Sequence, residues 1–152
     1  MDRPLVVTHP DDSVTDIIRE AGELAAKVDV PLRVLTVVTA DEYRQDSEVL
    51  DAIGDMEGSM SQPRPSQYAR SVAEQAIEDL LSDLDLETIA MGAHVEDADD
   101  QAAKILEVAE TNECDYIFMF GRRRSPTGKA IFGDTAQQVI LNFDQYVVTT
   151  VS

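Results

Sequence analysis

YIFMFGRRRSPTGKAIFGDTAQQV, residues 116–139, divides into three pieces around which the rest of the chain can be placed. Tyr116 to Phe120 is an apolar run of strand length that ends at Gly121. A loop carrying Arg122, Arg123, Arg124 and Lys129 follows, and Gly133 opens a helix. A strand that passes through a loop into a helix start brings unpaired N–H groups and the positive end of the helix dipole to one place. That is the outline of an anion site. Four of the twelve basic residues fall in this loop, in a chain with 30 acidic ones. A solvated arginine run balancing nearby acids accounts for the same residues, so charge alone leaves both readings open.

On either side the chain alternates. Leu5 to Val7 is a short apolar run between Pro4 and Pro10, suited to a strand buried on both faces. Asp12 or Ser13 caps the next helix, whose apolar positions Val14, Ile17, Ile18, Ala21, Leu24, Ala25 and Val28 keep helical spacing. Leu32 to Val38 is a second strand. From Thr39 to Pro65 the pattern weakens: a short helix near Ser47 to Ile53 is compatible with it, and the Gly, Pro, Ser and Gln content predicts a mobile connection. Ser66 caps a helix through Leu84, Thr88 to Gly92 is a third strand, and Asp99 or Asp100 starts a third main helix. Tyr146 to Val151 is a fifth strand of high β propensity.

Five strands alternating with four helices predict one α/β domain over residues 1–152, a five-stranded parallel sheet with helices on both faces. In such a sheet ligands sit at the carboxyl ends of the strands, near the point where strand order reverses. Those ends carry Thr8 and His9, Val37 to Thr39, Gly92 and His94, and Gly121 with the arginines.

The net charge of -18 and the presence of only three lysines, Lys27, Lys104 and Lys129, describe a surface that repels nucleic acid and anionic membrane. The pattern resembles proteins of salt-accumulating cells, where self-repulsion is screened. Hydrophobic residues at 43% supply a core, so acidity does not imply disorder. Cys114 alone cannot form an internal disulfide. No run approaches membrane-spanning length and no signal peptide is visible, which places the expected protein in the cytoplasm. Residues 121–130 fail as a P-loop, because Arg123 stands where its first glycine belongs and Ala130 replaces the metal-binding hydroxyl. His9 with Asp11 or Asp12 makes no metal cluster of recognisable spacing, and no nucleophile pattern is present, so neither metal nor catalytic residues are assigned.

The order of elements, the segment Cys114-Asp115-Tyr116-Ile117 leading to Gly121, and the loop from Arg124 through Gly133 together resemble the universal stress protein family, here of halophilic archaeal character. The resemblance implies a homodimer formed through Tyr146 to Val151, an ATP or AMP site, and a role in stress survival or signalling, with slow hydrolysis at most. In nucleotide-binding members the loop reads glycine, two residues, glycine, nine residues, glycine, then serine or threonine. Gly121 and Gly133 match the first and last glycines, and residues 124–133 fit without a gap, but no second glycine follows Gly121. Asp134 stands where the family has a hydroxyl, and strand one ends Thr8-His9-Pro10 where relatives place an aspartate.

The site the resemblance implies comprises Thr8, His9, Val37, Gly121, Arg122, Arg124, Gly128, Lys129, Gly133, Asp134 and Thr135. Val37 would meet adenine through its backbone. The glycines would allow close approach, while Arg122, Arg124 and Lys129 supply charge. Asp134 is read as an N-cap competing with phosphate or as a magnesium ligand, and Thr135 as the replacement hydroxyl. The rival is a dimeric interaction module without nucleotide, engaging a protein partner through its acidic face and the mobile Thr39 to Pro65 segment.

Overall fold

The computed structural model describes residues 1–9, 15–45, 64–124 and 130–150. Strands β1 (Pro4–Thr8), β2 (Leu32–Thr39), β3 (Thr88–Val95), β4 (Tyr116–Met119) and β7 (Tyr146–Thr149) form one parallel sheet in the order β3-β2-β1-β4-β7. Between them run α1 (Thr15–Val28), a helical stretch α2 over residues 40–45, α3 (Pro65–Leu81), α4 (Gln101–Thr111) and α5 (Asp134–Asn142). The chain works outward from β1 to β3, then returns to β4 on the other side of β1. The reversal therefore lies between β1 and β4. Among the described residues no helix is long and apolar enough to cross a membrane.

Successive strand residues point to opposite faces, which is why short apolar runs rather than alternating ones build this sheet. Leu5, Leu35, Val37 and Ile117 pack with Ala102, Ile105 and Ala109 of α4 and with Ala136 and Val139 of α5. Val6, Val34 and Phe118 face the other way, onto Ile17, Ile18, Ala21 and Ala25 of α1 and Ala73 and Leu81 of α3. Arg19 joins those two helices, donating to both carboxylate oxygens of Asp83 at 2.6 and 3.0 Å and to the Leu80 carbonyl at 3.0 Å. Asp115 fastens the start of β4 to the N-terminal segment by accepting the Asp2 and Arg3 amides at 2.8 and 2.9 Å. Burial opposes ionisation of that carboxyl, but the bonds from Asp2, Arg3 and its own amide outweigh it and hold the pKa below 3.8. Burial raises the Cys114 thiol above its ordinary value, as suits an inert core cysteine.

Several element limits differ from the expectation. β3 continues three residues past Gly92, placing Gly92 and His94 within the strand. The glycine serves packing: a Cβ there would lie 2.2 Å from the Arg70 amide nitrogen and 2.3 Å from the Ser66 carbonyl oxygen, because the first turns of α3 rest on the strand. α3 begins at Pro65 with Arg64 as N-cap, so Ser66 is inside the first turn, and Gln67 accepts the Arg64 amide at 3.1 Å. The stretch after β2 starts as helix because Thr39 and Glu42 form a reciprocal capping box, at 3.0 and 3.2 Å. The rest of the expected connection, residues 46–63, and the cap at Asp12 or Ser13 lie outside the described residues.

Candidate functional site

The expected arginine loop contains a hairpin. β5 (Arg122–Arg124) pairs antiparallel with β6 (Ala130–Phe132), in the register Arg122 with Phe132 and Arg124 with Ala130. Its base is closed where the Gly133 amide donates to the Gly121 carbonyl at 2.8 Å. The hairpin therefore stands on the carboxyl end of β4, beside the β1–β4 reversal, and delivers the chain to the start of α5. An Arg-Arg-Arg run shows no strand periodicity, so the pairing was not legible in these residues alone. Gly128 and Lys129 fall outside the described residues.

The start of α5 differs from expectation in a way that favours a ligand. Its N-cap is Gly133, with no side-chain capping bond, and Asp134 is the first helical residue rather than the cap. The first intrahelical bond runs from the Gln137 amide to the Gly133 carbonyl, 2.9 Å. The amides of Asp134, Thr135 and Ala136 thus lack intrahelical acceptors. Among the described residues a Cβ on Gly133 would meet nothing within 4 Å, and its φ of -63° is ordinary, so neither packing against them nor backbone conformation requires a glycine there. Asp134 is exposed and Thr135 half-buried at the first and second helical positions. Asp134 adds negative charge to a place whose dipole favours anions.

Gly121 behaves differently. A Cβ at Gly121 would sit 2.5 Å from the Ala136 Cβ, so this glycine lets α5 lie directly on the end of β4. Its close contact is with a helix, and its carbonyl is already engaged by Gly133.

Across the crevice, β1 contributes Thr8 and His9. Thr8 is buried and stands opposite Thr36. The β1–β2 ladder stops at that pair, whereas β2–β3 pairing continues to Thr39 with Val95. From Val37 onward the β1-facing edge of β2 has no strand partner among the described residues, which suits a backbone contact. The Val37 side chain itself is core, packed on the α4 and α5 side. His9 Nε2 lies 2.7 Å from Glu42 Oε2, and Glu42 Oε1 accepts the Thr39 amide. The bond with His9, opposed by burial and aided by Thr39, holds the Glu42 carboxyl below its ordinary 4.5. Sequence reading missed Glu42, although Thr39-Ala40-Asp41-Glu42 directly after a strand is a capping-box signature.

A reversal of strand order between β1 and β4 in a parallel sheet defines a doubly wound α/β protein, a class in which ligands commonly sit at the reversal. Within that class the chain belongs to the universal stress protein family, whose model matches residues 1–150. A search of curated proteins found no match. Among solved structures, a universal stress protein from Archaeoglobus fulgidus is similar at 22% identity, with 98% of this chain and 97% of that chain covered and a TM-score of 0.58. A universal stress protein in complex with cAMP is similar at 17% identity, with 99% and 98% covered and a TM-score of 0.56. An Archaeoglobus fulgidus universal stress protein in complex with dAMP is similar at 17%, with 98% and 96% covered and a TM-score of 0.53. At these identities the likeness shows the shared fold.

Proposed function

We propose that this protein binds an adenine nucleotide, AMP or ATP, at the β1–β4 rim and serves a stress-response or regulatory role. The observation that carries the reading is the start of α5: three amides without intrahelical acceptors and a glycine N-cap whose Cβ position has no neighbour within 4 Å among the described residues. The cAMP and dAMP complexes of proteins with the same fold support it. In this reading the amides of Asp134 to Ala136 and the Thr135 hydroxyl meet phosphate, Arg122 and Arg124 on β5 add charge, and the open β2 edge from Val37 meets adenine. Thr8 and His9 form the opposite wall. Magnesium between Asp134 and the phosphates would turn that carboxylate from a repulsive into a bridging group.

The test is to purify the protein in molar potassium chloride without added nucleotide, denature it, and chromatograph the supernatant for AMP or ATP. Labelled AMP and ATP are then titrated with and without magnesium. Saturable binding supports the reading, and its absence at millimolar nucleotide overturns it.

Two features favour a second reading, a dimeric interaction module. Asp134 opposes phosphate at the helix start, and β7 forms one edge of the sheet with Tyr146 exposed. Antiparallel pairing of two β7 edges would satisfy their open backbone groups. Sedimentation at several protein concentrations measures it: a monomer at all of them removes this reading.

A further inference from the structure

Resting on the nucleotide reading above, we propose that Glu42 is a positioning residue of the rim. It holds the His9 imidazole in one orientation beside the β1–β4 crevice, so that nucleotide affinity follows the charge of His9. The geometry is specific. Glu42 is held at both carboxylate oxygens, one by the Thr39 amide at 3.0 Å and the other by His9 Nε2 at 2.7 Å, so it cannot swing away without breaking the cap of α2. A carboxylate only accepts, which fixes a proton on His9 Nε2. The side chains of Glu42 and His9 are 25% and 39% exposed, so the pair is partly withdrawn from solvent. It links the end of β1 to the chain leaving β2, the two segments that flank the adenine side of the proposed site.

The charged side chains on the neighbouring elements are of both signs, with the cations paired to carboxylates. On α2, Asp41 pairs with Arg44, and on α3, whose Tyr68 ring rests on Tyr43, Arg70 pairs with Glu74 at 3.1 Å. The chain leaving β3, whose Glu96 carbonyl accepts the Ala40 amide at 3.4 Å, carries Glu96 and Asp97. Asp11 and Asp12, also acidic, follow His9 in the chain outside the described residues. Carboxylates near an imidazole favour its charged form, and Glu42 lies 2.7 Å from it. An imidazolium at the rim attracts an anionic guest, so nucleotide binds more tightly on the acid side of the His9 titration and more weakly above it.

The experiment follows His9 by NMR as pH is varied in the ligand-free protein, its signal identified by loss in His9→Asn, and measures AMP affinity over the same range. In Glu42→Gln, which keeps an acceptor for the Thr39 amide, the His9 midpoint should fall by about one pH unit, the low end for losing a neighbouring opposite charge. Wild-type AMP affinity should change roughly tenfold across the His9 titration, the linkage of a one-unit shift. The His9 part of that dependence should move with the midpoint in Glu42→Gln, and His9→Asn should keep only the part that comes from ionisation of the AMP phosphate near a pH of about 6. An unmoved midpoint, or a pH dependence of AMP affinity that is the same in His9→Asn as in wild type, overturns the proposal while leaving the nucleotide reading intact. Failure of AMP to bind wild type at any pH overturns both.

Discussion

Gly121→Ala tests how the end of β4 and the start of α5 are held together. The added Cβ would lie 2.5 Å from the Ala136 Cβ, far inside the roughly 3.5–4.0 Å at which carbon atoms rest in contact. Ala136 is 2% exposed and belongs to the core on that face, so α5 must lift or the strand end must shift. Overpacking of this kind costs about 1–3 kcal/mol, and in a chain of this size each kcal/mol lowers Tm by roughly 2–4 °C. The expected fall is therefore about 2–12 °C. Ala136→Gly alone costs about 1 kcal/mol in helix preference. In the double variant the nearest remaining neighbours are Thr149 Cγ2 at 3.7 Å and the residue 136 Cα at 4.0 Å, which is ordinary contact. The double should thus be less destabilised than the sum of the singles by about 1 kcal/mol or more. Urea unfolding of the four proteins in molar potassium chloride measures this coupling. Additive effects, or a Gly121→Ala variant with unchanged Tm and lost nucleotide binding, would refute the packing argument and return Gly121 to the ligand.

Gly92→Ala should be worse than the ordinary ~1–3 kcal/mol of overpacking, because the atoms it meets are backbone of α3 and cannot rotate away. Expression in inclusion bodies, or a large Tm loss by calorimetry, is the expected outcome. Thr36→Val should stabilise the protein by about 1 kcal/mol, since the Thr36 hydroxyl is fully buried and has no hydrogen-bond partner among the described residues. A destabilised Thr36→Val would show that the hydroxyl is satisfied, for example by a buried water. Asp115 has a folded pKa below 3.8, so its contribution is full above that value and disappears as pH falls through the lowered one. Urea midpoints taken from about pH 5 to about pH 3 should accordingly fall less steeply in Asp115→Asn than in wild type.

The strands were legible where burial on both faces leaves no polar position, as in Leu5 to Val7 and Leu32 to Val38. β3 was cut short because Gly92 reads as punctuation, whereas its missing side chain is what α3 needs to reach the strand. The hairpin was illegible for a related reason: Arg122 to Arg124 carry no apolar alternation, and backbone pairing across a turn leaves no mark on residue type. Asp134 looked like a cap because aspartate usually caps helices, yet Gly133 takes that position and Asp134 falls one residue inside. Conversely, Thr39-Ala40-Asp41-Glu42 announces a helix start, but its partner His9 lies 33 positions away and only the sheet brings the two together. Local signals therefore revealed the scaffold, while the groups that shape the rim depend on contacts between distant segments.

In the proposed function the start of α5 receives the phosphate of an adenine nucleotide. The most direct measurement is the backbone amide NMR spectrum of the protein in molar potassium chloride during titration with AMP. The amides of Asp134, Thr135 and Ala136 should show the largest shifts, and Gly133→Val should abolish them while lowering Tm by only about 2–4 °C, the roughly 1 kcal/mol of a poorer N-cap, since among the described residues nothing lies within 4 Å of the new Cβ. A titration that leaves those three amides in place, or moves them equally in Gly133→Val, would contradict it.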